Sequence, residues 1–462
     1  MNKYVSLFSL LLLVSCTVGP DYRRPDDVPE DAVARALSLK PDGDKSVGRD
    51  WYRQFGDPVL NRLAEDAVKD SPQAQIAVQR LREARLALSI RDVQYFPTFD
   101  ADASYHRLKP GKNAGYAIKE DYFQTGLDAS WELDIWGAGR RLSESARAAV
   151  EAAAANADDV HISLTAEVVN TYVSLRLTEE QLNLVRQNLD MQQKIQRLVE
   201  DQAKAGLVSQ SELSQTRYMT ENLKSQLPGL AAAAEAYRNA LAVLTGKVPG
   251  EVNGLLASAP RNIVRERFEY DLSAMYDLPA DTVRRRPDVR AAEQNLIGQN
   301  ARVGQAVAAL YPSVSLSAFL GFQSDTLPRL LRSKSGMFSY SPAVGLPIFH
   351  WNALTNQVEL EKETTKEYAL VYKSTVLNAV GEIRNAMTNV TQSYVRNRTE
   401  EAALLNMQEV SVLAFTQYEK GLIPLNSLLS TLQNLLETQR TYTSGNAALY
   451  QAVVAFYKAA AV

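Results

Sequence analysis

The sequence predicts an α+β membrane protein in which long α-helical hairpins of coiled-coil type alternate with pairs of β-strands. Three observations indicate this fold class. Residues 140–205 contain neither proline nor glycine, and at ~1.5 Å per residue they would form a helix of about 100 Å. Four shorter stretches alternate apolar and polar side chains, and the two halves of the chain repeat each other.

The long helical segments carry apolar residues at a seven-residue spacing. Two such series are Val168, Leu175, Leu182 and Leu189 in the first segment and Leu428, Leu435, Tyr442 and Leu449 in the last. A further segment, residues 353–420, is also free of proline. Heptads sustained over this length favour coiled-coil packing. The alternative is an ordinary helical bundle, whose helices would be several times shorter.

An internal repeat relates the two halves of the chain. At a shift of 215 residues, YFPTFDADAS matches LYPSVSLSAF, AEVVNTYVSL matches GEIRNAMTNV, and KAGLVSQSELSQT matches EKGLIPLNSLLST. At a shift of 213, DASWELDIW matches SPAVGLPIF, which aligns Asp128 with Ser341. Four matches in the same order predict a duplication. We expect an extended segment at residues 16–56, a first repeat at 57–245, a linker at 246–280 and a second repeat at 281–462.

Each repeat contains two predicted strands. They span about residues 98–107, 122–133, 313–323 and 337–346. Each strand has one apolar and one polar face, and the polar face of the first pair carries Asp100, Asp102, Asp128 and Glu132. About ten alternating residues suffice for a tilted strand to span a bilayer. We therefore expect the apolar face to meet lipid and the four acids to face a water-filled lumen. The alternative is a soluble four-stranded sheet packed on one helix.

A sheet of four strands is too small to close on itself around a solute. Its exposed edges must then pair with other chains, and symmetric closure of three copies would give a homotrimer with a 12-stranded β-barrel. After residue 16, no apolar run reaches the ~20 residues of a membrane-spanning helix, so a membrane crossing would have to be made by the strands.

The N-terminus, MNKYVSLFSLLLLVSC, has the layout of a secretory signal: one Lys3, a short apolar run and a small residue before Cys16. The stretch LVSC fits a lipobox, and Cys16 is the single cysteine of the chain. We predict a lipoprotein signal peptide at residues 1–15 and a covalent lipid, diacylglycerol and an N-acyl chain such as palmitate, on Cys16. The alternative is a signal peptide that contains a cysteine by chance.

The composition argues against several function classes. The net charge is −3 with three scattered histidines, which gives no basic face for nucleic acid and no metal-ligand spacing. No glycine-rich nucleotide loop and no pair of base and nucleophile is present in the sequence. We expect no enzyme activity, no metal and no cofactor other than the covalent lipid.

Five motifs in order carry a resemblance to a known family. They are SCTVGPDYRRP, WYRQFGDPVLNRLAEDA, ELDIWGAGRR, RRRPDVRAAEQNL and YEKGLIPLNSLLSTLQNLL. Over essentially its whole length the chain resembles the TolC superfamily of outer-membrane efflux proteins, and within it the lipoprotein branch typified by OprM and NodT. The resemblance implies a trimer whose barrel in the outer membrane continues into a periplasmic α-barrel tunnel.

The resemblance also implies partners and contact residues. The partners are a periplasmic membrane-fusion adaptor and an inner-membrane pump of the resistance-nodulation-division (RND) type. The tip of the tunnel, which would meet the adaptor, would be formed by Gly206, Leu207, Val208, Ser209, Gly421, Leu422, Ile423 and Pro424. The implied function is a passive, gated channel of a tripartite pump that exports small molecules such as drugs.

Three other functions remain open at this point: a type I secretion conduit for polypeptides, a structural envelope lipoprotein without a pore, and an envelope hydrolase.

The sequence also departs from the family at its closing constriction. Relatives often have an acidic residue at the position of Ser430 and an arginine at that of Gln417. The contacts that close the tunnel in relatives therefore do not carry over to this chain.

Overall fold

A computed structural model describes residues 17–25, 30–37, 48, 50–111, 113, 120–259, 262–279 and 281–461. The chain divides into two compact units. The strand unit is drawn from the described residues within 1–26, 80–154 and 290–374, and the helical unit from those within 27–79, 155–289 and 375–462. Both repeats contribute to each unit.

The helices and strands follow the order that the sequence predicts. The helices are α1 (Glu30–Leu37), α2 (Pro58–Asp70), α3 (Pro72–Val93), α4 (Ala138–Lys204), α5 (Gln210–Leu244), α6 (Asn253–Ala257), α7 (Thr282–Arg285), α8 (Pro287–Ala308), α9 (Trp351–Glu419) and α10 (Leu425–Ala459). The strands are β1 (Thr98–Leu108), β2 (Glu120–Leu133), β3 (Ser313–Ser324) and β4 (Gly336–Gly345). Among the described residues, no helix combines the length and apolar character needed to cross a bilayer.

The four strands form one antiparallel sheet in the order β1-β2-β3-β4. Their alternation is as predicted, because Asp100 lies opposite Asp128 and Ser317 lies opposite both Ser130 and Ser341. The last strand ends at Gly345, one residue before its predicted end. The fold class predicted from alternation and repeat is confirmed, whereas the division of the sequence into repeats and linker at the stated boundaries stays a prediction.

The repeat is also visible in the structure, with one local difference. Helices α3 and α8 both begin at a proline, 215 residues apart, and β1 and β3 keep the same shift. The hairpin ladders pair Asp100 with Asp128 and Ser315 with Ala343, so Ala343 is the ladder equivalent of Asp128. The sequence match instead aligned Asp128 with Ser341. The helices that follow β2 and β4 begin at Ala138 and Trp351, 213 residues apart. The sequence match at a shift of 213 therefore aligned the starts of these helices, whereas the strand ladders correspond at a shift of 215.

The helical unit packs through the predicted heptad positions. Val168, Leu175, Leu428 and Leu449 have no exposed side-chain surface. Helices α4 and α9 contain 67 and 69 residues, and α5 and α10 contain 35 each. Helices of this length bury apolar stripes along several turns, which stabilises them far more than intrinsic propensity does.

Buried polar groups anchor the start of α2 in the helical unit. Asp57 is fully buried and caps α2 by accepting from the backbone amide of Val59 at 2.8 Å. The Tyr172 hydroxyl donates to the same carboxylate, and burial raises the pKa of that hydroxyl. The Arg176 guanidinium lies 4.7 Å from the Tyr172 ring centroid and donates to the Leu256 carbonyl at 2.9 Å. The network gives hydrogen-bond partners to the Asp57 carboxylate and the Tyr172 hydroxyl, whose burial without partners would be costly.

Two of the family motifs have structural roles of the same kind. In RRRPD, buried Arg286 donates to the Ala459 carbonyl at 2.8 Å and to Glu382 at 2.6 Å, so it holds the end of α10 within the helical unit. In GAGRR, Arg141 donates to the carbonyl oxygens of Val18 and Gly19 at 3.3 Å, so it holds the N-terminal segment within the strand unit. Both arginines supply several donors from one planar group.

Candidate conduit face and hairpin turns

The polar face of the sheet gathers the four acids singled out in the sequence. Asp100 and Asp128 are directly opposite on β1 and β2, Asp102 is opposite Gly126, and Glu132 is opposite Ser315. All four carboxylates are exposed. Directly opposite side chains in a sheet lie about 5 Å apart at Cβ, so this face concentrates negative charge.

The polar face also carries an aromatic residue that sequence reasoning missed. Phe319 lies opposite Asp128 and Ser339, yet it is only 8% exposed. A Cβ added to Gly126 or to Gly321, which are opposite each other, would come 2.7 Å from the Phe319 ring. The end of the ring therefore occupies the space that side chains at the two glycines would need, an arrangement known to support glycine in strands. The sequence signal that could have revealed this packing was the presence of one glycine in each of two strands, Gly126 and Gly321.

The other face of the sheet is apolar and open. The large side chains of the strands on this face that are at least half exposed are Phe99, Tyr105, Leu127, Leu320, Phe338, Tyr340 and Val344. A contiguous exposed apolar surface on a sheet indicates contact with lipid or with another chain.

Aromatic side chains fix the junction between strands and helices in the strand unit. The Trp131 indole donates to the Tyr95 carbonyl at 2.9 Å, and the Trp136 indole donates to the Pro312 carbonyl at 2.8 Å. The Trp136 ring also stacks on Tyr311 at a centroid distance of 4.7 Å. These contacts hold the polypeptide where each helix continues into a strand.

The first predicted hairpin turn connects α4 to α5. Gly206 has φ = 73°, and the amide of Leu207 donates to the Gln202 carbonyl at 2.9 Å, which is the Schellman ending of a helix. Ser209 then caps α5: its hydroxyl accepts from the Glu212 amide at 3.2 Å, and its own amide donates to the Glu212 carboxylate at 2.8 Å. This reciprocal pair is a capping box.

The second turn, between α9 and α10, has the same helix ending and a different helix start. Gly421 has φ = 70°, and the amide of Leu422 donates to the Gln417 carbonyl at 2.9 Å. Pro424 is the N-cap of α10 and makes no side-chain capping bond. Leu207 and Leu422 are 75% and 70% exposed, so each turn presents one leucine to its surroundings.

A shared apolar cluster lies beneath the two turns. It includes Ile195 and Val199 of α4, Leu213 of α5, Ala414 of α9 and several leucines of α10. The remaining turn residues Val208 and Ile423 pack against it. Both turns therefore belong to one packed end of the helical unit.

Three further positions named in the sequence analysis are Ser430, Gln417 and Cys16. Ser430 and Gln417, which depart from the family pattern, are both exposed. Cys16 lies outside the described residues. Within the described ranges, no group of three or more His, Cys, Asp and Glu side chains is arranged to hold a metal ion.

Comparison with known proteins identifies the family. The model of the outer membrane efflux protein family matches residues 63–247 and 278–462, one match for each repeat. The chain belongs to this family of efflux channels, whose location is the bacterial outer membrane.

Individual relatives match the chain over at least 97% of its length. Nodulation protein T of Rhizobium leguminosarum bv. trifolii is 28% identical, covering 100% of this chain and 96% of that protein. The cation efflux system protein CusC of Escherichia coli is 27% identical, covering 97% and 96%. The solvent efflux pump outer membrane protein SrpC of Pseudomonas putida is 26% identical, covering 99% and 97%.

Solved structures share the fold. The outer-membrane channel OprN is 29% identical with a TM-score of 0.86, covering 96% of this chain and 99% of that chain. The CmeC outer membrane channel of Campylobacter jejuni is 25% identical with a TM-score of 0.86, covering 96% and 95%.

The capping box predicts a local difference between the two turns. Ser209→Ala removes the N-cap of α5, which costs about 1 kcal/mol, so amide hydrogen exchange in the first turn of α5 should speed up about fivefold. The matched control Ser427→Ala, in the first turn of α10, removes no cap and should leave exchange in α10 unchanged. Equal effects of the two substitutions would contradict the assignment of Ser209 as a cap.

The same box has a pH dependence. Hydrogen bonds from the backbone and side chain of Ser209 hold the pKa of Glu212 below its ordinary value. A lowered folded-state pKa means that this contribution is present above the ordinary pKa of glutamate and is lost as the pH falls through the folded-state pKa. The difference in exchange between wild type and Glu212→Gln should therefore shrink in acid, after correction for intrinsic rates.

Proposed function

We propose that the protein is the outer-membrane channel of a tripartite efflux pump, a passive gated conduit that exports small molecules from the periplasm. The observation that carries this proposal is the two-sided sheet, with acids such as Asp100 and Asp128 on one face and exposed apolar residues such as Phe99 and Leu320 on the other. Membership in the outer membrane efflux protein family supports it.

In this proposal three copies close their sheets into one barrel. The apolar face meets lipid, and the polar face lines the lumen, where it presents Asp100, Asp102, Asp128 and Glu132 from each copy. Alternation of apolar and polar residues along strands of this length is the pattern of membrane barrels. The charged lumen would favour cations over anions, because like-charged walls raise the local concentration of counter-ions.

The hairpin turns are the proposed contact with a periplasmic adaptor, which in turn links the channel to an inner-membrane RND pump. Support comes from the turn geometry: Leu207 and Leu422 are exposed at the same packed end of the helical unit. Adaptor binding would select the open arrangement of the helices there, since a ligand shifts a conformational equilibrium by its difference in affinity for the two states. The pump would supply the energy.

Small molecules are favoured over polypeptides as the exported substrate. The names of three relatives concern the efflux of cations, solvents and toluene, and these names support the small-molecule class without selecting one member of it. A type I secretion conduit and a non-conducting envelope lipoprotein are the competing functions. A deletion strain tested against drugs, solvents and metal salts distinguishes small-molecule efflux from type I secretion. A secretion defect without any change in sensitivity would favour polypeptide export.

Single-channel recording tests the conduit itself. The purified protein in a planar bilayer should conduct, and Asp100→Asn with Asp128→Asn should lower the cation-to-anion permeability ratio measured from the reversal potential. Ser317→Ala, on the same face, removes no charge and serves as the matched control. A correctly folded, inserted protein that never conducts would overturn the proposal, and an unchanged permeability ratio would contradict the placement of the two acids in the lumen.

The proposed anchor is a lipid on Cys16. An acyl chain contributes about 0.8 kcal/mol per buried methylene, so several chains on one residue hold a protein firmly at a membrane. We expect Cys16→Ala to abolish incorporation of labelled palmitate, while Ser15→Ala, next to it, retains it. Palmitate labelling that persists in Cys16→Ala would refute the anchor.

A further inference from the structure

The connection between β3 and β4 carries a group of cations without partners. Residues 325–335, called the β3–β4 loop below, read DTLPRLLRSKS and contain Arg329, Arg332 and Lys334, all of which are exposed. No described residue forms a hydrogen bond or an ion pair with any of these three side chains. The one acid of the loop sequence, Asp325, accepts from neighbouring serine and threonine hydroxyls at 3.4 Å. The loop therefore has a positive charge that the described part of the chain does not neutralise.

The β3–β4 loop is folded into consecutive turns. The Arg332 amide donates to the Arg329 carbonyl at 3.1 Å, and the Ser335 amide donates to the Arg332 carbonyl at 2.9 Å. The Ser335 hydroxyl also donates to the Arg329 carbonyl at 2.8 Å, and the Leu330 side chain is buried. Residues three apart in turns of this kind lie on the same side, so Arg329 and Arg332 project together. A surface that is already ordered loses little conformational entropy when it binds a ligand.

Exposed leucines lie among these cations. Leu327 and Leu331 are 62% and 76% exposed. The apolar face of the sheet reaches the same place, because Phe338, near the start of β4, is 75% exposed. Cations beside exposed apolar side chains are typical of a segment that lies in a membrane interface, where the apolar groups enter the acyl region and the charges stay among the headgroups.

The length of the strands puts the loop at the level of lipid headgroups. β3 and β4 contain 12 and 10 residues, and tilted strands of about this length cross a bilayer. Helix α8 precedes β3 and helix α9 follows β4, so these helices are at one end of the two strands and the loop is at the other. The assignment of this end to the outer surface rests on the proposed function, in which the helices extend into the periplasm.

We propose that the β3–β4 loop binds phosphate groups of lipids in the outer leaflet of the membrane. Arg329, Arg332 and Lys334 contact the phosphates, and Leu327 and Leu331 contact the acyl region. A guanidinium donates two parallel hydrogen bonds to one phosphate, and a lysine ammonium adds a point charge. In a trimer, the three loops would bind lipid around the whole circumference of the barrel and fix its depth in the membrane.

The leucines distinguish a lipid from a soluble phosphate compound. A free phosphate ion has no acyl chain, so Leu327 and Leu331 would contribute nothing to its binding. A phosphorylated lipid uses the cations and the leucines together, so substitutions of either kind must weaken its binding. Two sets of variants therefore separate the two sources of phosphate.

Titration of the full-length protein with lipid A, a glycolipid that carries two phosphates, tests the cations. The protein in a non-ionic detergent is mixed with increasing lipid A, and native mass spectrometry counts the lipids that it retains. We expect Arg329→Gln, Arg332→Gln and Lys334→Gln together to weaken lipid A binding about 100-fold, because each cation near an anionic lipid surface contributes a factor of about five.

A matched triple variant controls for net charge. Arg186→Gln, Arg197→Gln and Lys420→Gln remove three exposed cations from the helical unit and should leave lipid A binding unchanged. Equal binding by wild type and the loop variant, or an equal loss in the loop variant and the control, would overturn the proposal.

Leu327→Ser with Leu331→Ser tests the lipid against free phosphate. We expect lipid A binding about tenfold weaker, because two side chains lose their apolar contact with the acyl region. Leu207→Ser with Leu422→Ser, which changes the exposed leucines of the hairpin turns, is the matched control and should bind as wild type does. Unchanged binding in the loop variant, or displacement of lipid A by inorganic phosphate but not by chloride at equal ionic strength, would overturn the assignment to lipid.

Conductance in a planar bilayer separates failure of the lipid site from failure of the proposed channel. A wild-type protein that conducts but binds lipid A no better than the neutral lipid phosphatidylcholine refutes the lipid site and leaves the channel standing. A folded protein that binds lipid A through the loop without conducting supports the lipid site and refutes the conduit. Loop variants that conduct like wild type are correctly assembled, so their loss of lipid A is a loss of contact with the loop.

Discussion

Backbone hydrogen bonding along the two edge strands of the sheet is the constraint on which the rest of this structure depends. In lipid, every backbone amide and carbonyl group must find a partner within the protein. Strands β2 and β3 find theirs on both sides, whereas β1 and β4 do so on one side. Closure with further copies satisfies the remaining groups, and the same closure separates a polar interior from an apolar exterior.

The two halves of the duplicated chain each contribute two strands to the sheet, and they differ in local sequence and capping. Both hairpin turns end the preceding helix with a glycine at positive φ, Gly206 and Gly421. They differ in how the next helix starts, with a capping box at Ser209 and with Pro424 in the other repeat. The sheet shows the same combination of equivalence and difference, since the acids lie on the strands of the first repeat and mainly serines, with Phe319, on those of the second.

Much of this fold could be predicted because its periodicities are long and regular. Alternation located the strands to within two residues, heptads located buried residues such as Val168 and Leu428, and glycine located the turns. Phe319 was missed because a single aromatic residue on a polar face is explained only by its cross-strand glycines. The equivalence of Asp128 with Ala343 was missed because alternation is unchanged by a shift of two residues. Long-range contacts such as that between Arg286 and the Ala459 carbonyl leave no local pattern in the sequence.

The sheet is complete only between copies of the chain, and the mass of the intact complex tests this most directly. Native mass spectrometry of the full-length protein extracted in mild detergent measures the number of chains in each folded particle. We expect a particle of three chains. A well-folded single chain as the dominant species, with its β-sheet circular dichroism intact, would contradict it.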